Sequence, residues 1–270
     1  MAVNVATEEI TLPNGMPAFF AYPEQAGAVP AVILMHERYG LVQHTRDQAV
    51  RCATDGYATI APDFFFRHAD KNALNAGDSR YDLTDPESVE LIDVAMAWLR
   101  DRAEVYNEKI AVAGYCQTGR HPLVYAAHRN DVAAVVLWYG GASKREWGIK
   151  EEQPEALEDL IARVGCPIFG AFGSNDHIIA VEDVVRLRNV FESHFKTYDL
   201  NIYSGAPHGW LNDTMPGRYR KQQAEAGWAA QQSFLERTLK NIFTAGDDIQ
   251  WRFNAVIPQT YDFSKNVRLE

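Results

Sequence analysis

Residues 109–129 read KIAVAGYCQTGRHPLVYAAHR, and this stretch decides the fold. Its opening run, Ile110, Ala111, Val112 and Ala113, is short, apolar and β-prone, the pattern of a strand buried in a parallel sheet. Gly114 breaks the run, and from Gln117 the residues suit a helix. A strand, a sharp turn and a helix, with one nucleophile-capable side chain at the turn, make a nucleophile elbow, and here that side chain is Cys116. The turn lifts the thiol out of the sheet, and the N–H groups that open the helix favour thiolate. The same residues fit a plainer reading, because a lone Cys at the end of a buried strand commonly packs as a small hydrophobe. Thr118 stands where Gly-x-nucleophile-x-Gly has its second glycine, with Gly119 one residue later. Pro122 removes a backbone donor early in the helix, which predicts a late start or a local kink.

Outward from the elbow, strands and helices alternate. Residues 5–11 and 18–22 flank Asn14-Gly15 and read as an antiparallel hairpin. Apolar strands are expected at 30–35, 57–61, 132–138, 167–172 and 197–203, and helices at 45–54, from Asp85-Pro86 to Leu99, at 181–194 and at 219–243. The stretch 64–85 is irregular, and 143–163 mixes polar loop and helix. This order implies an α/β fold, a doubly wound, mostly parallel sheet with an N-terminal antiparallel hairpin, in a single domain over 1–245. Residues 246–270, with Trp251, Phe253, Ile257, Tyr261 and Phe263, are too aromatic for a free end; this C-terminal extension is expected to pack on the domain or on a neighbouring subunit, which leaves a homodimer open.

Composition narrows the function. The 270 residues are 47% hydrophobic and 11% aromatic, enough for one large core. A net charge of −10 argues against nucleic acid or an anionic membrane as partner, though a few arginines in a cleft could still bind an anionic small molecule. Cys52, Cys116 and Cys166 imply no disulfide framework. The N-terminus lacks a basic, apolar leader, no apolar run approaches the ~20 residues of a membrane span, and a cytoplasmic location is expected. Histidine spacing suggests no metal site, and no cofactor is expected.

In such a sheet, ligands sit beyond the carboxyl ends of the strands. Three of those ends carry Cys116, Asp176 and His208, in the chain order nucleophile, acid, histidine of an α/β-hydrolase. Cys116 would attack a carbonyl, His208 would move its proton and later activate water, and Asp176 would hold the imidazole's tautomer. Alone, Asp176 could cap the helix near Val181 and His208 could be an exposed loop residue; together they favour catalysis. Backbone N–H groups of Gln117 and Arg38 are the candidate oxyanion hole.

These residues carry a resemblance. The chain resembles the dienelactone hydrolases, the carboxymethylenebutenolidase branch of the α/β-hydrolases, from about residue 10 to 243. The likeness rests on His36-Glu37-Arg38-Tyr39-Gly40, Gly56-Tyr57-Ala58 with Ala61-Pro62-Asp63, Gly114-Tyr115-Cys116, Phe172-Gly173 with Asp176, and Gly205-Ala206-x-His208-Gly209. It implies a cofactor-free hydrolase of a small ester or lactone working through an acyl-Cys116 intermediate, with Cys116, Asp176 and His208 as triad. It also implies that Glu37 is a carboxylate beside the resting thiol that helps take its proton; read on its own, Glu37 also fits a surface ion pair with Arg38 or Arg46. An arginine between the fourth strand and the elbow would meet a substrate carboxylate: Arg80, or less well Arg67, with Tyr81 and Trp210 as further substrate contacts.

The chain departs from the family in one charge. Where family members carry a second arginine about one helical turn after the histidine, this sequence has Gly209-Trp210-Leu211-Asn212 and no cation before Arg218. With the altered elbow, this keeps two other readings open: the same Cys-His-Asp site used for dehalogenation, carbon–carbon cleavage or acyl transfer, and a non-catalytic ligand-binding relative.

Overall fold

The strands follow the apolar runs. β1 (Val5–Thr11) and β2 (Pro17–Pro23) form an antiparallel hairpin turning through Gly15, whose φ of 85° suits glycine alone. β3 (Val29–Met35), β4 (Ala58–Pro62), β5 (Val105–Tyr115), β6 (Ala134–Trp138), β7 (Ile168–Gly173), β8 (Tyr198–Tyr203) and β9 (Trp251–Ala255) complete the sheet. The structure is a computed structural model that describes residues 3–24, 27–241 and 249–255. Among these, the strand order is β1-β2-β4-β3-β5-β6-β7-β8-β9; β2 runs antiparallel to β4, and every pair from β4–β3 to β8–β9 is parallel.

A buried parallel sheet needs cover on both faces, and the side-chain alternation provides for it. In β3, Ala31, Ile33 and Met35 join one apolar core, and Val32 and Leu34 join the other. The first core includes residues of α3 (Asp85–Arg100), α4 (His121–His128), α5 (Leu157–Arg163) and α6 (Val181–Ser193). The second includes Ala49, Cys52 and Ala53 of α1 (Gln43–Thr54) and Trp228, Phe234 and Leu235 of α7 (Lys221–Leu235). Because β3 pairs with β4 on one side and β5 on the other, the winding reverses there, and the carboxyl ends of β3 and β5 are where such a sheet binds ligands.

Some elements differ from the sequence reading. The 64–85 stretch contains a short helix, α2 (Lys71–Ala76), capped by the Asp70 carboxylate on the Ala73 N–H and closed by Gly77 at φ 84°. The last α-helix ends at Leu235 and passes into a π-helical turn, Glu236–Lys240. In the C-terminal extension, Trp251–Ala255 pairs in parallel with β8, while Ile257, Tyr261 and Phe263 lie outside the described residues. Among the described residues, no helix is long and apolar enough to cross a membrane.

One buried ion pair fastens the elbow segment to the helical layer. Arg120, 3% exposed, gives Nε and Nη2 to the two oxygens of Asp85 at 2.9 Å each, and donates to the carbonyls of Glu146 (2.7 Å) and Glu155 (2.9 Å). Burial holds the Asp85 carboxyl above its usual range despite the guanidinium beside it. Such a pair is costly to form and costlier to halve. Asp85→Ala, which strands the guanidinium, is expected to lower stability by about 3–5 kcal/mol in urea melts at neutral pH; a loss below about 1 kcal/mol would mean that the pair anchors little.

Candidate active site

The elbow is built from close backbone contact. Cys116 stands half-buried at the end of β5 with φ 55°, a left-handed backbone rare for a side chain with a Cβ. Residues Cys116–Arg120 form a 3-10 turn, and α4 starts only at His121, with Pro122 in its first turn where no donor is needed. A Cβ on Gly114 would come within 2.6 Å of the Thr118 carbonyl oxygen, and one on Gly140, just beyond β6, would collide with the Cys116 carbonyl. Thr118 does not loosen this turn. Its buried hydroxyl accepts the Tyr115 N–H at 3.1 Å and donates to the His36 carbonyl at 2.9 Å, stitching the end of β5 to the end of β3.

Two further strand ends converge on the thiol. The loop after β8 presents His208, 3% exposed, with Nε2 3.0 Å from Cys116 Sγ and Nδ1 2.8 Å from Asp176 Oδ2. Asp176, after β7, accepts the Ile178 and Ile179 N–H groups on Oδ1 at 2.8 and 3.0 Å, which aims Oδ2 at the imidazole. It does not cap α6, whose N-cap is Ala180. Burial works against a charge on His208, but its hydrogen bonds to Asp176 and Cys116 outweigh it and hold the imidazole up at about 10. Burial pushes the thiols of Cys52 and Cys166 up to about 12, away from the thiolate. Among the described residues, no group of three or more His, Cys, Asp or Glu side chains could hold a metal ion.

Glu37, just past β3, is 6% exposed and makes no ion pair among the described residues; Arg46 binds Glu9 instead, at 2.8 Å. Its Oε1 accepts from Tyr139 Oη at 2.9 Å and its Oε2 from Asn212 Nδ2 at 2.7 Å. Tyr139, after β6, has φ 37° and sets its ring edge against His208, centroids 5.5 Å apart. Burial and the neighbouring Glu37 carboxylate keep its phenol well above the usual range, so it stays a donor. The Asn212 amide is fixed in turn, because its Oδ1 accepts the N–H and hydroxyl of Thr214 at 3.1 and 2.6 Å. Sequence reasoning assigned no role to Tyr139 or Asn212; their visible signals were a Tyr-Gly-Gly at a strand end and a short polar side chain four residues after His208.

The remaining candidates fall in several places. The Arg38 guanidinium reaches the Gly77 carbonyl at 2.8 Å, and the Gln117 side-chain amide donates to the Tyr81 carbonyl. Tyr81 itself is half-buried, its hydroxyl on Glu87 at 2.7 Å. Arg67 also binds Glu87, at 2.6 Å. Arg80 is exposed and pairs with Asp82; with Gln117, Arg145 and Lys150 it lines a cavity of about 420 Å3 beside the elbow. Trp210 was expected at the substrate, but it is fully buried among Tyr203, Trp138 and Tyr139, at centroid distances of 4.8, 5.1 and 6.1 Å, with no face open to a ligand. Its indole fills the second core because Gly209, at φ 76°, turns the chain inward after His208.

Known proteins resemble this chain in sequence and in fold. The sequence profile of the dienelactone hydrolase family matches residues 16–239. A protein of Escherichia coli named as a candidate carboxymethylenebutenolidase is 31% identical over 224 residues, covering 80% of each chain. One of the same name from Methylorubrum extorquens is 27% identical over 85% of this chain and 79% of its own. Among solved structures, a candidate dienelactone hydrolase from Klebsiella pneumoniae superposes with a TM-score of 0.78 at 26% identity, covering 87% of this chain and 99% of that one. With the match spanning most of the sheet and every strand end described above, the chain belongs to the dienelactone hydrolase family of α/β-hydrolases.

Proposed function

We propose that the protein hydrolyses a small carboxylic ester or lactone through an acyl-Cys116 intermediate. The observation that carries this reading is the unbroken chain Asp176–His208–Cys116, 2.8 and 3.0 Å per link, at a strained elbow. Family membership and the carboxymethylenebutenolidase relatives support the bond type.

The imidazole, held up at about 10, takes the Cys116 proton on Nε2 as the S–H bond breaks and its electron pair stays on sulfur. The sulfur attacks the ester carbonyl carbon; the C=O pair moves onto oxygen, where the backbone N–H groups of Gln117 and Arg38 receive it. Collapse of the tetrahedral adduct breaks the bond to the leaving alkoxide or enolate, which takes the His208 Nε2 proton. Neutral His208 then draws a proton from water, hydroxide adds to the thioester carbon, and the sulfur departs as the carboxylic acid forms. Asp176 holds the imidazole's Nδ1–H throughout. In a lactone both products stay in one molecule, a hydroxy or oxo acid.

Steady-state release of p-nitrophenol from p-nitrophenyl acetate tests the assignment. Cys116→Ala and His208→Ala are each expected to lower turnover by at least about a thousandfold while the melting transition is kept. Full activity in either would remove its residue from the mechanism, and a single burst in the parent protein would leave acylation without hydrolysis.

The thiol–imidazole pair also has a signature in stability. The folded value of His208 lies above the ~6.5 of an unfolded histidine, so between those two values the native state holds the extra proton. The stabilisation is complete below about 6.5 and is lost as pH rises through about 10. Cys116→Ala removes one cause of the elevation and is expected to flatten the fall of Tm with pH across that window. Equal slopes in parent and variant would count against the pair.

A further inference from the structure

The two residues whose backbone N–H groups receive the oxyanion in the reading above also reach, with their side chains, for one and the same segment. Arg38 donates from Nη2 to the Gly77 carbonyl at 2.8 Å and lies 3.5 Å from the Ser79 carbonyl, and the Gln117 amide donates to the Tyr81 carbonyl. Residues 77–81 are therefore gripped from the end of β3 and from the elbow after β5. The segment is itself anchored at both ends. The Asp78 and Ser79 N–H groups close α2 on the Ala73 carbonyl at 2.8 and 3.1 Å. Tyr81 sets its hydroxyl on Glu87 of α3 at 2.7 Å, with its ring centroid 5.3 Å from that of Phe65. Bare Gly77 lets the segment lie close, because a Cβ there would come within 2.9 Å of the Tyr39 ring.

The backbone donors behind these two side chains are open. Gln117 is the second residue of its 3-10 turn, where an N–H has no acceptor inside the turn. The Arg38 N–H meets no backbone acceptor among the described residues. Two donors carried by different strand ends serve one developing oxyanion only if they hold their places to within about 0.5 Å.

We propose that, within the hydrolase reading above, the side chains of Gln117 and Arg38 are positioning residues: through the Tyr81 and Gly77 carbonyls they make segment 77–81 a splint across the oxyanion hole, fixing the two backbone N–H groups relative to each other. The segment contributes its main chain, while its Arg80 side chain turns out to Asp82. The splint touches neither the thiol nor the imidazole, so it acts on the charge that gathers on the carbonyl oxygen and not on the sulfur.

That separation is measurable. Gln117→Leu removes one grip at nearly constant shape and charge. It is expected to lower kcat for p-nitrophenyl acetate by about 10- to 100-fold with KM little changed, because displacing a donor costs less than deleting one. Iodoacetamide alkylates Cys116 by displacing iodide from a saturated carbon and builds no oxyanion, so that rate is expected to stay within about twofold of the parent's. Arg38→Met is expected to behave alike. A splint released at one end no longer holds, so the double variant is expected to fall no more than about threefold below the slower single one. Undiminished kcat in Gln117→Leu would overturn the proposal. Alkylation that slows in step with kcat would overturn it too, by placing the defect at the thiol, as would losses that multiply in the double variant. If Gln117→Leu loses its melting transition, Gln117→Glu keeps the shape, sets an acceptor against the Tyr81 carbonyl and is read by the same two rates. Failure of the hydrolase reading would look different, as turnover that survives Cys116→Ala.

Discussion

The close approach of bare backbone at the carboxyl ends of β5 and β6 governs everything else at the site. Gly114 leaves room for the Thr118 carbonyl and the Pro122 ring, and Gly140 leaves room for the carbonyl of Cys116. No L side chain fits at either point without displacing main chain. That contact forces Cys116 into its left-handed conformation and points its side chain out of the sheet. The strain is held by polar stitches on both sides: the Thr118 hydroxyl ties the turn to β3, and Arg120 ties the following residues to Asp85.

On this rigid base, the electrostatics follow from burial. His208 is shielded from water and would be neutral by burial alone; the acid on one ring nitrogen and the sulfur on the other reverse that preference. A hydrogen bond in such an interior is stronger than in water, and an unpaired polar atom is correspondingly expensive. The neighbours are accordingly satisfied in sequence: Asp176 by two loop N–H groups, Glu37 by a phenol and an amide, and the amide by Thr214. Strand ends supply the principal members, and the loops between them supply the donors.

That division explains what could be read from the sequence. The sheet, its hairpin and the convergence of Cys116, Asp176 and His208 were legible because buried parallel strands are nearly uninterrupted apolar runs, and these residues stand a few positions past their ends. Loop conformation was not legible. Trp210, two residues past His208, has the look of a cleft residue, yet the positive φ of Gly209 sends it into the core. Thr118 looked like a defect in a glycine pattern and proves to be a cross-strand tie, visible only once β3 lies beside β5. Arg80 cannot be placed by pattern because the segment before it folds into α2. Asn212 stands four residues after His208, but that spacing does not reveal its partner, which is 175 residues away in sequence.

The parallel pairing of β9 with β8 changes the standing of the strand that leads to His208. Without residues 251–255, β8 would be the rim of the sheet, with one row of backbone N–H and C=O groups open to solvent and to other chains. With them it is an interior strand, hydrogen-bonded on both sides, and among the described residues the rim passes to five residues that carry an exposed Trp251 and an Arg252 held 3.4 Å from Asp199 of β8. Fraying, which begins at sheet margins, therefore reaches a sacrificial strand before it reaches the histidine loop. A segment far from the thiol in sequence thus acts as a selvedge for the chemistry, keeping the weave tight where the imidazole is hung.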